Sequence, residues 1–360
     1  MFNRINKIVK LRNSTQQIKI YRGIRVLEVT EESLIGVKGY TFYKYDFKIK
    51  KWTFFAKAVE PWYSLLSNYK LTRRLLRIEV TNLYTLKNNV KLCIAKKGIY
   101  KLDDKKKQFI KCYHVKRGSR PLNLCEDKNG IIYFGEYFSN IEKNKVHVYK
   151  SVDSGNTWKI AFTFKEGTIN HIHGIFYDKY TERLWIVTGD RENECIIGYS
   201  DDEFKTVNYI FRGGQEYRTC NLLFYQQYII FATDSQYIKN NIKMIDRKTN
   251  VISEIQSIQG SCIYSVPCGD YALLATTVEP SVVNLDCNSY LWFSENGIDW
   301  EELLHFKKDI LPDFLFQLGS IRFPQYILQN NNPSKIYLTG RALKIADGNT
   351  IEVNIKDIRK

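Results

Sequence analysis

Proline is scarce in this 360-residue chain, with seven in all, and glycine numbers 20. Those counts exclude a collagen-like chain and a Pro/Gly-rich low-complexity polymer. No apolar run approaches the roughly 20 residues that a membrane-spanning helix needs. No two cysteines stand at CxxC spacing, and no Cys/His cluster has zinc-finger spacing. There is also no GxGxxG, no Walker loop and no GxSxG, which removes the usual local signals for nucleotide binding and serine hydrolysis. The first ten residues, Met1 to Lys10, are charged but have no apolar h-region and no cleavage site. The expectation is therefore a chain without a signal peptide, located in the cytoplasm. The eight cysteines fit that compartment. Most lie inside apolar runs such as Leu92-Cys93-Ile94, as small core residues do in a reducing environment.

Hydrophobic residues make up 44% of the chain and aromatics 14%, enough for a packed core biased toward strands. The net charge is +16, unevenly spread. Residues 1–120 hold 29 Lys+Arg against 8 Asp+Glu, a net of +21, while the remaining 240 residues carry −5. Such an asymmetry suits an anionic partner: an acidic glycan, nucleic acid or an anionic membrane surface. The competing account is a composition rich in Lys, Asn and Ile with no partner behind it. Nucleic acid is not favoured, because aromatic stretches such as Trp52-Thr53-Phe54-Phe55 read as strand core and not as a base-stacking platform.

Strand-like segments recur every 8 to 14 residues, split by turn-forming pairs. Clear examples are 130–138, 145–152, 183–190, 227–235 and 271–279. Only 61–77 and 301–316 are expected to hold a helical turn or a long loop. Units of about 45–55 residues begin near Arg120, His171, Arg218, Tyr264 and Gly319, with weaker ones over 20–61 and 62–119. This period is that of a four-stranded propeller blade. The expected fold is all-β: a single β-propeller domain over 1–360, with seven blades favoured and six as the alternative. Its basic blades span about 20–119 and its remaining blades about 120–355. The short last unit is completed by an N-terminal strand near Gln16–Tyr21.

The turns carry a further signal. Ser151-Val152-Asp153-Ser154-Gly155-Asn156-Thr157-Trp158 fits S-x-D-x-G-x-T-W. In such a turn the carboxylate accepts from nearby amides, the glycine adopts positive φ, and the tryptophan packs the hairpin onto its sheet. Ser294-Glu295-Asn296-Gly297-Ile298-Asp299-Trp300 is a degenerate copy and Ser200-Asp201-Asp202-Glu203-Phe204 a more degenerate one. Over about residues 120–345 the chain thus resembles the Asp-box propellers, which include sialidases, other glycosidases and polysaccharide lyases. The resemblance implies the fold more than any reaction, since the box is structural.

Strand direction points to a site. In a blade, the innermost strand starts on the face to which the second strand returns. Inner-strand starts carry Arg120, His171, His173, Tyr217, Arg218 and Tyr264, with Gln317 and Arg322 in the last unit. Second-strand ends carry Glu136, Asp190, Asp234 and Glu279. Bases and acids are thereby expected at one mouth, either as a functional pocket or as a polar ring that only caps the channel. Arginine forks suit carboxylates, and His, Tyr or Glu can move protons. On the functional account, His171, His173, Tyr217, Glu136 and Asp190 are the candidate catalytic groups. Arg120, Arg218, Gln215, Asp234, Tyr264, Glu279 and Arg322 are the candidate substrate contacts. No cofactor is expected, a divalent metal at His171-Ile172-His173 being the alternative if Gln215, Asp190 or Glu136 supplies a third ligand.

The sialidase resemblance implies an arginine triad, for which Arg120, Arg218 and Arg322 have suitable spacing. However, Arg22-Gly23-Ile24-Arg25-Val26 departs from the Arg-Ile-Pro start of that family. The lyase resemblance implies Arg or Gln on a uronate carboxylate and His or Tyr as the base. Two functions stand side by side: a lyase or glycoside hydrolase acting on an acidic polysaccharide or oligosaccharide, and a non-catalytic glycan- or protein-binding propeller in a surface-polysaccharide pathway.

Overall fold

The computed structural model describes residues 4–10, 15–328 and 332–355. About half the residues are strand and 7% helix, as the short alternating segments demand. The chain divides into two compact units, one formed by residues 1–83, 103–109 and 264–360, the other by 84–102 and 110–263.

In the first unit, Arg25–Thr30, Ser33–Lys38, Thr41–Asp46 and Lys51–Ala58 form an antiparallel meander. Tyr271–Val278, Asn288–Ser294 and Glu301–Lys307 form another. The last array has the order Gly319–Arg322, Lys335–Arg341, Thr350–Asn354 and Thr15–Tyr21. Its fourth strand comes from the other end of the chain, with Lys19 opposite Glu352 and Tyr21 opposite Thr350. Apolar alternation holds this register. Ile18 and Ile20 enter one core cluster with Ile336, Leu338, Ile351 and Val353, while the Tyr21 hydroxyl donates to Glu352 at 2.5 Å.

The stretch 61–77 folds as two short helices, Pro61–Leu66 and Lys70–Leu75. Proline opens the first, where its missing N–H costs nothing. The second buries one residue, Arg74, which donates from Nε to Phe316 O at 2.7 Å and pairs with Asp309. The expectation of helix or loop over 301–316 is corrected in its first half. Glu301–Lys307 is a strand whose Leu304 and Phe306 are buried and His305 exposed, a period of two, and only Asp313–Phe316 is helical.

In the second unit, Lys91–Ala95 pairs with the strand beginning at Gly98. Three four-stranded antiparallel arrays follow. The first is Cys125–Glu126, Ile132–Gly135, Val146–Ser151 and Lys159–Phe164. The second is His171–Asp178, Arg183–Gly189, Ile196–Ser200 and Asn208–Arg212. The third is Leu223–Phe224, Tyr228–Ala232, Asn241–Asp246 and Ile252–Ser257. Residues from neighbouring arrays share the cores, as where Tyr133, Val148, Ile172 and Ile186 meet.

Three hairpin turns repeat one hydrogen-bond pattern. Asp153 Oδ1 accepts from Ser151 Oγ at 2.8 Å and the Thr157 amide at 2.9 Å, and Trp158 Nε1 donates to Gly155 O at 3.1 Å. Asp202 accepts from Ser200 Oγ and the Thr206 amide in the same way. There Phe204, with φ +65°, takes the position of Gly155 and is fully buried against Tyr133. Asn296 Oδ1 accepts from the amides of Ile298 and Asp299, and Trp300 Nε1 donates to Gly297 O.

Candidate functional site

In the second unit the four-stranded arrays bring His171, His173, Asp190, Arg218 and Asp234 together. His171 opens the strand His171–Asp178, and Asp190 follows the last residue of its neighbour Arg183–Gly189. The pairing register shifts between Ile172 and Gly174, so His173 is the extra residue of a bulge. The two imidazole centroids lie 5.1 Å apart. Gly189 makes the space for this: a Cβ there would fall 2.5 Å from His173 Cε1 and 3.2 Å from Arg218 Cγ.

Both rings have the same polarity. His171 Nδ1 donates to Phe138 O at 3.1 Å and His173 Nδ1 to Thr219 O at 2.9 Å. A carbonyl can only accept, so each Nδ1 bears a proton. Each Nε2 then turns to Asp190, at 3.4 Å from Oδ2 for His171 and 3.4 Å from Oδ1 for His173. Burial depresses the pKa of His173.

The expected substrate clamp does not form at Arg218. Its terminal nitrogens donate to Asp190 O and Asp190 Oδ1, both at 3.2 Å, and its Nε lies 3.7 Å from Asp234 Oδ2. Two carboxylates thus claim one guanidinium; counting both imidazoles as neutral, the cluster is negative in sum and opposes a substrate carboxylate. Gln215 is held at both ends, donating to Asp190 O at 2.8 Å and accepting from Ser235 Oγ at 2.9 Å. Tyr217 is displaced from the expected catalytic position. Its ring stacks on Phe211 at 5.2 Å among apolar side chains, because the 3-10 turn Gln215–Tyr217 reverses the chain before the inner strand starts. The Cys220 thiol, its pKa driven up by burial, donates to Asp234 Oδ2 at 3.3 Å.

Glu136 follows Ile132–Gly135 and is buried, but its guanidinium partner is Arg117. Arg117 also lies over the Phe138 ring, 4.4 Å from its centroid. Arg120 lines a small cleft with Lys116, Arg117, Glu136 and Tyr137. Tyr137 in turn places its ring 4.2 Å from that of His171.

Tyr264, Glu279 and Arg322 belong to the first unit, which has a second charged cluster that sequence reasoning missed. Arg25, Arg322 and Arg341 share the buried carboxylate of Glu79. Arg25 approaches Oε2 at 3.4 Å, Arg322 approaches Oε1 at 3.9 Å, and Arg341 makes the closest contact. Arg322 donates to the Tyr264 hydroxyl at 2.7 Å, with its guanidinium 4.9 Å from that ring. Burial lowers the pKa of Arg25 to about 10; Glu79 opposes the shift, and the like charges of Arg73, Arg322 and Arg341 add to it. Arg25 still stays cationic at neutral pH. The signal for these residues was present: Arg25 starts the strand Arg25–Thr30 and Arg341 ends Lys335–Arg341, the same positions that flagged His171 and Asp190.

Solved structures show the same architecture. The structure titled YCF48 bound to D1 peptide aligns with a TM-score of 0.55 at 10% identity, covering 97% of this chain and 99% of that one. YCF48 from Cyanidioschyzon merolae aligns at 0.53 with 12% identity, covering 98% and 99%. A chain of the mitotic checkpoint complex aligns at 0.53 with 9% identity, covering 96% and 97%. The fold is a β-propeller. At these identities the propeller likeness concerns the fold alone. No family model matches the chain, and no curated protein matches it. Among the described residues, no helix of this propeller is long and apolar enough to cross a membrane.

Proposed function

We propose that this protein is a binding propeller for an acidic glycan, held by Arg25, Arg322 and Arg341. The observation that carries the reading is three guanidinium groups on the one carboxylate of Glu79. Guanidinium groups drawn together make a positive focus that attracts an incoming anion. Planar guanidinium forks match carboxylate, sulfate and phosphate groups. Tyr264, half-buried beside Arg322, offers an aromatic face to a sugar ring.

No reaction is assigned. Groups expected to act on a substrate in the second unit are engaged within the protein: Arg218 by two aspartates, Gln215 at both ends, and the Tyr217 ring by Phe211. That pairing favours binding over lyase or hydrolase chemistry.

The test is titration calorimetry against polygalacturonate, alginate and polysialic acid, with dextran as the neutral control. Binding to an acidic polymer and not to dextran is expected. Arg341→Ala should weaken it about 10- to 100-fold, the worth of one bond to a charged group. Equal affinity of wild type and Arg341→Ala, or no binding to any acidic polymer, overturns the reading. Unsaturated products or new reducing ends would replace binding by catalysis.

A further inference from the structure

We propose that His171 Nε2, His173 Nε2 and the carboxylate of Asp190 form a three-ligand site for a divalent first-row transition metal of the zinc type. Four observations converge on it, none of them involving the arginine cluster.

The three ligand atoms lie within 4.8 Å of one another. The spacing suits a tetrahedral ion. Bonds of about 2.0–2.1 Å from Zn²⁺ to nitrogen or oxygen set neighbouring ligand atoms about 3.3–3.4 Å apart; His171 Nε2 stands 3.4 Å from Asp190 Oδ2 and His173 Nε2 3.4 Å from Asp190 Oδ1, so each imidazole faces its own oxygen of the carboxylate.

The outer contacts are those of a metal centre. Both Nδ1 atoms donate to backbone carbonyls, which puts each Nε2 lone pair toward the common point. The carboxylate is held from behind by Asn170 Nδ2, 2.7 Å from Oδ2, and by Arg218, 3.2 Å from Oδ1. Its backbone carbonyl is fixed by Gln215 and Arg218.

His171 Nε2 is buried without a hydrogen bond. A buried imidazole nitrogen in this state requires an explanation, and a Lewis acid at the focus of two lone pairs and a carboxylate supplies one. Lastly, the Asp190 side chain is 30% exposed, while those of the histidines are 8% and 3%. Solvent therefore reaches the site from the carboxylate side, leaving a fourth position for water.

Cys220 and Asp234 also come near His173. They are the weaker alternative, since the thiol already donates to Asp234 and His173 Nδ1 to Thr219.

Untagged protein, stripped with chelator, would be dialysed against zinc and separately titrated with cobalt(II) followed by its visible d–d spectrum. One equivalent per chain is expected, together with a rise in the thermal midpoint. His173→Ala and Asp190→Asn should each weaken binding by at least about 100-fold, because loss of a ligand exceeds the 10- to 100-fold cost of losing an outer contact. Circular dichroism would check that the variants fold. Should neither fold, anomalous scattering from zinc-soaked wild-type crystals decides: the peak must lie about 2 Å from both Nε2 atoms. A peak elsewhere, binding well below one equivalent, or folded variants that bind as wild type does would show a simple ion-paired cluster and overturn the proposal.

Discussion

Arg247 clamps Asp178 from 69 positions away in the chain. Two terminal nitrogens of Arg247 donate to Asp178 Oδ2 at 2.5 Å and Oδ1 at 3.0 Å, and its Nε donates to Tyr225 O at 2.8 Å. Asp178 ends the strand His171–Asp178 and is fully buried; Arg247 follows the strand Asn241–Asp246. One planar fork therefore ties together two four-stranded arrays at the end of the strand that His171 begins.

Arg247→Ala should cost about 3–5 kcal/mol, because it leaves a buried carboxylate with no counter-charge. Arg247→Lys should recover only part of this, since an ammonium cannot reproduce the two parallel bonds. Urea unfolding of the three proteins gives the comparison. A loss below about 1 kcal/mol for the alanine variant would mean that the pair contributes nothing beyond an exposed salt bridge.

Trp158 is half-buried, with its ring edge-on to Phe134 at 5.0 Å and near Tyr113 at 5.9 Å. Its replacement by alanine should cost about 2–3 kcal/mol, less than the roughly 3–5 kcal/mol of a fully buried tryptophan. Ligand affinity at the arginine cluster should be unchanged. Thermal unfolding and glycan titration on one variant test both halves.

Acid should weaken the Asp153 turn in a defined window. Partial burial would raise the Asp153 pKa, but bonds from Thr157, Ser151 and Asn156 lower it from 3.8 to about 2. A depressed carboxylate contributes stability above its unfolded pKa, and that contribution is lost as pH falls through the folded value. The stability difference between wild type and Asp153→Asn should therefore hold steady above pH 4 and shrink toward pH 2. A difference that shrinks between pH 8 and pH 6 instead would point to another group.

Of the eight cysteines, Cys287 is exposed, Cys112 is partly covered and the rest are buried. Burial raises the Cys112 thiol to about 11, so little thiolate forms at neutral pH. Ellman's reagent should titrate one thiol quickly in the native protein and eight after denaturation. Rapid reaction of several native thiols would show that the propeller opens locally.

What adjacent residues decide could be read directly. A short unbroken apolar run bounded by turn residues, Leu184 to Val187 in Arg183–Gly189, marks a strand buried on both faces. The Asp153 turn was equally legible, since its bonds join residues no more than four apart. Asp190 and Asp234, both at second-strand ends, lie beside Arg218, and the strand ends themselves are legible because each is set by the strand's own length. The partnerships among charges were not legible. Arg341 reaches Glu79 across 262 positions, and Glu136 takes Arg117, which sequence reading did not single out, as a guanidinium partner. Nor does the pair His171 and His173 rest on simple alternation: the bulge at His173 and the missing Cβ of Gly189 set the distance between the rings. Strand registers and the room left by neighbouring side chains arise from packing among distant segments, and no short stretch of sequence contains the terms that choose between them.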